Sequence, residues 1–415
     1  MTVSGADTTP PDERIWLEAL LADRRMRVAL YVALGVLLLF RLVQVVAGVT
    51  GESWAYDFAA YWQAGERVLA REPIYAAEQL AGPYSPQQPL LYLYPPFLAV
   101  LLAPFAAVFE SPEQAMCLWF GLGVALTVGA VWSVAAAEGV TGRRERLFQV
   151  GAAFALAPVG FELVMGNVHM LLLGLLSGAW LALRRGSPAG DVVGGALIGA
   201  AALIKVFPLL LVGWLLLTGR WRAAGAAGAG GVVLALATVP VVGLGPWLDF
   251  PRVLTNLGPP QDLWSSLSPT SFLAELIDFG LARLIVAVAA VGLLVWSARR
   301  QSAPISFGVA VMLSILIAPT VYPHYLALSV LPLVLAAAHA RSAAPVAFAY
   351  AGLAIGGQLA LLDLAQTPNR ILAGVGALAP LALLLRTDAY GARGRPAKIA
   401  DRPRLPAELA PPGAP

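Results

Sequence analysis

Long apolar runs, most of them closed by a cluster of arginines, alternate along nearly the whole of this chain. A helix of about 20 apolar residues is long enough to cross the roughly 30 Å hydrocarbon core of a bilayer. Runs of that length exclude a barrel, whose spanning strands are about ten alternating residues. Lipid offers no partner to a free backbone group, so only helices remain. Composition agrees: 59% of the 415 residues are hydrophobic, 12% are charged, and mean hydropathy is +0.75. Soluble domains do not have that balance. A formal net charge of +3 argues against a nucleic-acid partner. The lone Cys117 can form no internal disulfide. The first apolar run is too long for the core of a cleavable signal, and none is expected.

Basic clusters set the expected orientation. Arg14, Arg24, Arg25 and Arg27 precede the first run, residues 26–47. Positive residues stay in the cytoplasm, so residues 1–25 are expected to be a cytoplasmic tail and residues 54–97 an outer loop. Within that loop, residues 57–70 fit an amphipathic interfacial helix with Phe58, Trp62 and Leu69 on one side. Residues 96–109 would reach only about 21 Å as a helix and are read as re-entrant. That choice keeps Arg143, Arg144 and Arg146 inside, with Arg184, Arg185, Arg220, Arg222, Arg299, Arg300, Arg341 and Arg386. The run between 185 and 220 is read as a hairpin of two half-spans broken near Lys205, because Pro208 disrupts a continuous helix. About twelve transmembrane helices result, in a membrane domain over residues 26–386. Residues 387–415, rich in Pro and Arg, are expected to be a disordered cytoplasmic tail.

This register gathers Asp57, Asn167, His169, Lys205, Asp262 and His324 at one outer face. A carboxylate, an imidazole and an ammonium at one lipid–water boundary suit sugar transfer from a lipid phosphate to an acceptor hydroxyl. Each also has a plainer reading. Asp57 could be a solvated loop charge, Lys205 a snorkelling anchor, and His169 a helix cap. Glu162 and Asn167 read as structural polar groups at a helix end. Arg67, on the interfacial helix, reads as a headgroup contact that could reach a phosphate. A flippase for lipid-linked glycans stays open as an alternative, although its polar residues would line a path through the bilayer. A ligase or polymerase using a similar lipid donor is a further one.

Several motifs carry a family resemblance. They are Asp57-Phe58 with Tyr61, Ala64-Gly65 and Leu69; Pro73 to Tyr75; Tyr94-Pro95-Pro96; and Gly166-Asn167-Val168-His169. Gly199 to Leu210 around Lys205, Arg220-Trp221-Arg222, and the segment from Pro319 to Tyr325 complete the set. In this order the chain resembles the polyprenol-phosphate-mannose-dependent mannosyltransferases, glycosyltransferase family 87 of the GT-C superfamily, over about residues 30–385. The resemblance implies an all-α, GT-C-like membrane enzyme in the cell membrane with its active site on the extracytoplasmic face. It implies Asp57 as catalytic base, with Lys205 and His324, and Arg67 as a further candidate, near the donor phosphate. Tyr61, Asn167, His169, Asp262 and Tyr322 are the expected substrate contacts. The donor would be a polyprenyl-phosphate sugar, most simply mannose, and the acceptor a cell-envelope glycolipid or glycan; no cofactor or metal is implied. Two segments depart from the family pattern. Gly166-Asn167-Val168-His169 stands where Gly-Gln-Val-Asn is frequent, and Gln261 to Ser266 stands where a polar Asn-Gln-Ser segment is.

Overall fold

A computed structural model describes residues 16–85, 90–259, 263–362 and 367–387. Among these, nineteen α-helices and three short 3-10 turns carry the fold, and the only strand-like contact is one bridge between Tyr84 and Leu257. Residues 1–15 and 388–415 of the expected tails, and Asp262 of the second outer loop, lie outside the described residues; the rest of the expected N-terminal tail holds helix Trp16–Ala22, with Leu17 and Leu21 buried in the protein.

Five helices are long and apolar enough to cross a membrane: Arg24–Val49, Pro112–Ala137, Trp221–Val242, Phe279–Arg300 and Pro368–Thr387. A sixth is reached if Arg143–Phe154 and Ala157–Met165, bent by 64° at their junction, count as one span. This is a multi-pass helical membrane protein, but twelve uninterrupted spans are not present among the described residues. The reason is the interior. The remaining apolar helices are short, such as His169–Leu183, Pro188–Ile204 and Ala303–Leu316, and every residue from 305 to 316 is buried. Backbone breaks at bilayer depth are tolerable where protein surrounds them. The long helices carry the lipid-facing surface: Val28, Val32, Val36, Leu39, Val43 and Val46 on the first of them are all exposed. Leu34 and Arg41 are buried there. The Arg41 Nε donates to the carbonyl of Ala155 at 2.9 Å, and Nη1 reaches the amide oxygens of Gln44 and Gln358.

Small residues decide how the chain folds back around Lys205. A Cβ on Gly195 would lie 2.1 Å from the Ala223 carbonyl oxygen, and one on Gly199 would lie 2.3 Å from that of Ala227. The two backbones therefore touch, as small-xxx-small pairs allow. The pairing of 195 with 223 and 199 with 227 makes Pro188–Ile204 and Trp221–Val242 parallel. Residues between them must run back, and they do. Lys205 is extended (φ −148°, ψ 136°), Phe207–Leu209 forms a 3-10 turn containing Pro208, and Leu210–Leu217 returns. Arg220 then reaches the Leu183 carbonyl at 2.9 Å and the Asp191 carboxylate at 3.2 Å. The hairpin puts Arg184 and Arg220 at one end of the molecule and Lys205 at the other.

Other contacts sort the two ends in the same way. Glu138 takes Trp180 at 2.8 Å, Arg184 at 3.1 Å and His339 at 2.9 Å. Gln301 donates to the Leu384 carbonyl at 3.0 Å, which joins the ends that carry Arg300 and Arg386. At the opposite end the two expected outer loops meet. Tyr84 exchanges backbone hydrogen bonds with Asn256 and Gly258, both 3.0 Å, and Asn256 donates to the Gln79 carbonyl at 2.9 Å. Helix Pro112–Ala137, about 39 Å long at 1.5 Å per residue, separates the two ends.

The helix expected over 57–70 spans Tyr56–Ala70, and Phe58, Tyr61, Trp62 and Val68 are buried. Its apolar stripe packs into protein, against helix Pro96–Val108 and against Trp119, whose ring centroid is 5.5 Å from that of Phe58. Leu69, on the same stripe, is exposed and lines an open crevice with Val100, Pro104 and Val241.

Candidate active site

Two backbone devices bring the first outer helix to the Gly166 turn. Ala55 stands in the left-handed region (φ 61°), uncommon for a residue with a Cβ, and its N–H donates to the Val164 carbonyl at 3.0 Å. Gly166 ends helix Ala157–Met165 with φ 72°. A Cβ there would lie 2.5 Å from Met116 Sδ and 2.8 Å from Phe58 Cβ, so the turn and the helix touch through glycine. Asp57 and Asn167, 110 residues apart, are thereby neighbours.

Hydrogen bonds run in one direction through this cluster. Tyr61 Oη donates to Tyr94 Oη at 2.7 Å, and Tyr94 Oη faces Asn167 Oδ1 at 3.5 Å. Asn167 Nδ2 donates to Asp57 Oδ2 at 3.0 Å and stands 3.2 Å from His324 Nε2. The amide has two N–H bonds, one for the carboxylate and one for an unprotonated Nε2; the ring proton then sits on Nδ1, which has no partner among the described residues. His324 Nε2 lies 3.5 Å from Asp57 Oδ2, and its ring stacks on Tyr322 with centroids 5.9 Å apart. All these contacts use Oδ2. Oδ1 takes no protein donor among the described residues, and 23% of the side chain is exposed. Burial pushes the Asp57 carboxyl up to about 6, while the Asn167 amide and the Lys205 charge pull the other way.

A second chain ends on Lys205. Glu162 accepts from the His169 backbone at 2.6 Å and contacts His169 Nδ1 at 2.9 Å. His169 Nε2 is 3.2 Å from Lys205 Nζ, and that ammonium lies 3.6 Å from the Tyr325 ring centroid and 5.2 Å from that of Tyr94. The aromatic faces favour the cation. His169 and His324, with centroids 5.8 Å apart, join the two chains. Glu162, His169 and His324 offer ligand atoms within 4.8 Å of one another and could hold a metal ion. In this arrangement Lys205 supplies the positive charge beside them.

The structure thus brings together Asp57, Tyr61, Asn167, His169, Lys205, Tyr322 and His324. Arg67 is elsewhere engaged, its Nη1 donating to the Ile74 carbonyl at 2.6 Å, with no contact to the cluster. Glu162, read from sequence as a helix-end polar group, is fully enclosed beside His169. An acidic residue inside an apolar run was the available signal. Tyr94 and Tyr325 belong to the motifs that carry the resemblance, yet nothing in the sequence showed that they face Asn167 and Lys205.

The model of "Glycosyltransferase family 87" matches residues 92–323, more than half of the chain. The chain belongs to glycosyltransferase family 87. Tyr94, Asn167, His169, Lys205 and Tyr322 fall inside the matched region; Asp57 precedes it and His324 follows it directly. Family 87 membership makes this membrane protein a glycosyltransferase and leaves the flippase alternative without support. Among solved structures the chain is similar to ArnT from Cupriavidus metallidurans in the apo state. The two are 19% identical, with a TM-score of 0.36, over 86% of this chain and 78% of that one. No curated protein matches the chain.

Proposed function

We propose that this family 87 enzyme transfers a sugar, most simply mannose, from a polyprenyl-phosphate donor to a hydroxyl of a cell-envelope glycolipid or glycan. Asp57 is the general base. The observation that carries this reading is the carboxylate with one oxygen held by Asn167 and the other open, within the same cluster as Lys205. The acceptor hydroxyl gives its proton to Asp57 as its oxygen bonds the sugar's anomeric carbon. The bond from that carbon to the phosphate oxygen breaks, and the polyprenyl phosphate leaves with the electron pair. The leaving group is already good, so no acid is required and one carboxylate suffices. Displacement in a single step inverts the anomeric centre, so a β-linked donor gives an α-glycoside. Lys205, held by the Glu162–His169 pair, offsets the charge on the departing phosphate, and His324 borders both. Tyr61, Asn167, His169 and Tyr322 shape the pocket around the reacting groups. Asp262 and Arg67 remain candidate contacts for the acceptor and for a lipid headgroup.

The basic clusters share one end and the reactive cluster lies at the other, which supports an extracytoplasmic active site by the positive-inside rule. On this reading the short inner helices complete about twelve crossings, with both termini in the cytoplasm. The test is an assay of purified protein in lipid with polyprenyl-phosphate-mannose, the products identified by mass. Wild type is expected to form a mannosylated product. Asp57→Asn, of equal size but unable to accept a proton, should lose about 10²–10⁴-fold in turnover while still binding donor. Near-wild-type turnover in Asp57→Asn would remove the base assignment. Product from a different sugar donor alone would remove mannose.

A further inference from the structure

A cavity lies toward the basic end of the molecule, along the first span and away from Asp57. Its volume is about 330 Å³. Leu30, Leu34 and Leu37 form one wall, Phe148 and Ala152 a second, Val346 and Tyr350 a third, and Trp16 and Leu17 cover it from the first described helix. The walls are mostly apolar; beside the Tyr350 phenol and the Trp16 indole, which donates to the Ala337 carbonyl, the polar side chain in the lining is Gln149, which is 3% exposed. Neither its Nε2 nor its Oε1 has a hydrogen-bond partner among the described residues. A buried amide left unpaired forfeits the hydrogen bonds it makes in water, so the site favours an occupant with a polar group at that depth.

Charge marks the mouth. Gln149 lies about 9 Å along its helix from Arg143, at 1.5 Å per residue. Arg143 and Arg144 open that helix and are exposed. Tyr31 donates to the Arg144 carbonyl at 3.1 Å, which brings the first span, with exposed Arg24 and Arg25 at its start, to the same rim. Arg341, also exposed, precedes the helix that supplies Val346 and Tyr350. The occupant that fits is therefore an acyl chain, then an ester carbonyl, then an anionic headgroup.

We propose that this cavity binds one chain of an anionic phospholipid, with its ester region at Gln149 and its phosphate at the arginine rim. The inference does not rest on the proposed reaction. Native mass spectrometry of the full-length protein, equilibrated separately with phosphatidylglycerol, phosphatidylcholine and polyprenyl phosphate, tests it. Wild type should retain phosphatidylglycerol in preference to phosphatidylcholine, and polyprenyl phosphate held at the Asp57 cluster should be retained equally by wild type and Ala347→Phe. Ala347→Phe, at an exposed wall position, fills the cavity and should lower retention at least about tenfold. Gln149→Leu keeps the volume and should lower it about three- to tenfold. Paired Arg143→Gln and Arg144→Gln should bring phosphatidylglycerol and phosphatidylcholine close to parity. Thermal unfolding checks that each variant is folded. Unchanged retention in folded Ala347→Phe or Gln149→Leu would overturn the proposal, as would equal retention of phosphatidylcholine by wild type. Preferential retention of polyprenyl phosphate at this cavity would overturn it in favour of a substrate-tail site.

Discussion

At the residue scale, Asp57 sets the pH dependence. A base must be ionised before it can take the acceptor's proton. Burial raises this carboxyl to about 6, so the ionised fraction falls as pH drops through that value. An unshifted carboxylate, at 3.8, would remain ionised at pH 5. Turnover with saturating donor should accordingly fall towards tenfold per unit as pH drops below about 6. A rate profile that stays level to pH 5 would count against Asp57 as the base. The two chains of hydrogen bonds divide the labour: Tyr61, Tyr94 and Asn167 orient the carboxylate, whereas Glu162 and His169 hold Lys205.

At the element scale, Lys205 is presented by a break in the chain, and the break is positioned by helix packing. Pro188–Ile204 lies directly on Trp221–Val242 through Gly195 and Gly199. A leucine at 199 would have to push the Ala227 carbonyl aside, and such overpacking costs about 1–3 kcal/mol. Gly199→Leu should therefore lower the thermal midpoint in detergent and reduce turnover as Lys205 shifts. Gly225, on the facing helix, has open space for 4 Å around the point where a Cβ would sit. Gly225→Leu should leave both readouts close to wild type. Equal effects from the two substitutions would show that the close contact at Gly199 does not position the site.

At the scale of the whole molecule, the distribution of arginines sets the orientation. The ends that carry Arg184, Arg220, Arg300 and Arg386 are held together by Glu138, Asp191 and Gln301. If this end is cytoplasmic, a cysteine placed at position 143 in a Cys117→Ser background should resist a membrane-impermeant thiol reagent applied from outside. It should react once the membrane is opened. Labelling from outside would reverse the orientation and move the reactive cluster to the cytoplasmic face. The short interior helices also explain why counting apolar runs suggested about twelve spans while five or six helices meet the length of a bilayer. A fourteen-residue helix such as Ala303–Leu316 can be as apolar as a span without being as long.

Hydropathy and charge accumulate locally along a chain, and what depends on them was legible from the sequence. The helical membrane class, the break at Lys205, the helix that follows Tyr56 and the separation of basic from reactive ends are of this kind. Hydrogen-bond partners are not, because they depend on directions set by packed helices far apart in sequence. Only the tertiary structure paired Asp57 with Asn167, placed His324 on the same amide, left one carboxylate oxygen open, and turned Arg67 to the Ile74 carbonyl. Glu162 shows the difference most plainly. Its place in an apolar run marked it as costly to bury, but its partner was fixed by the left-handed turn at Gly166, which folds His169 back onto it.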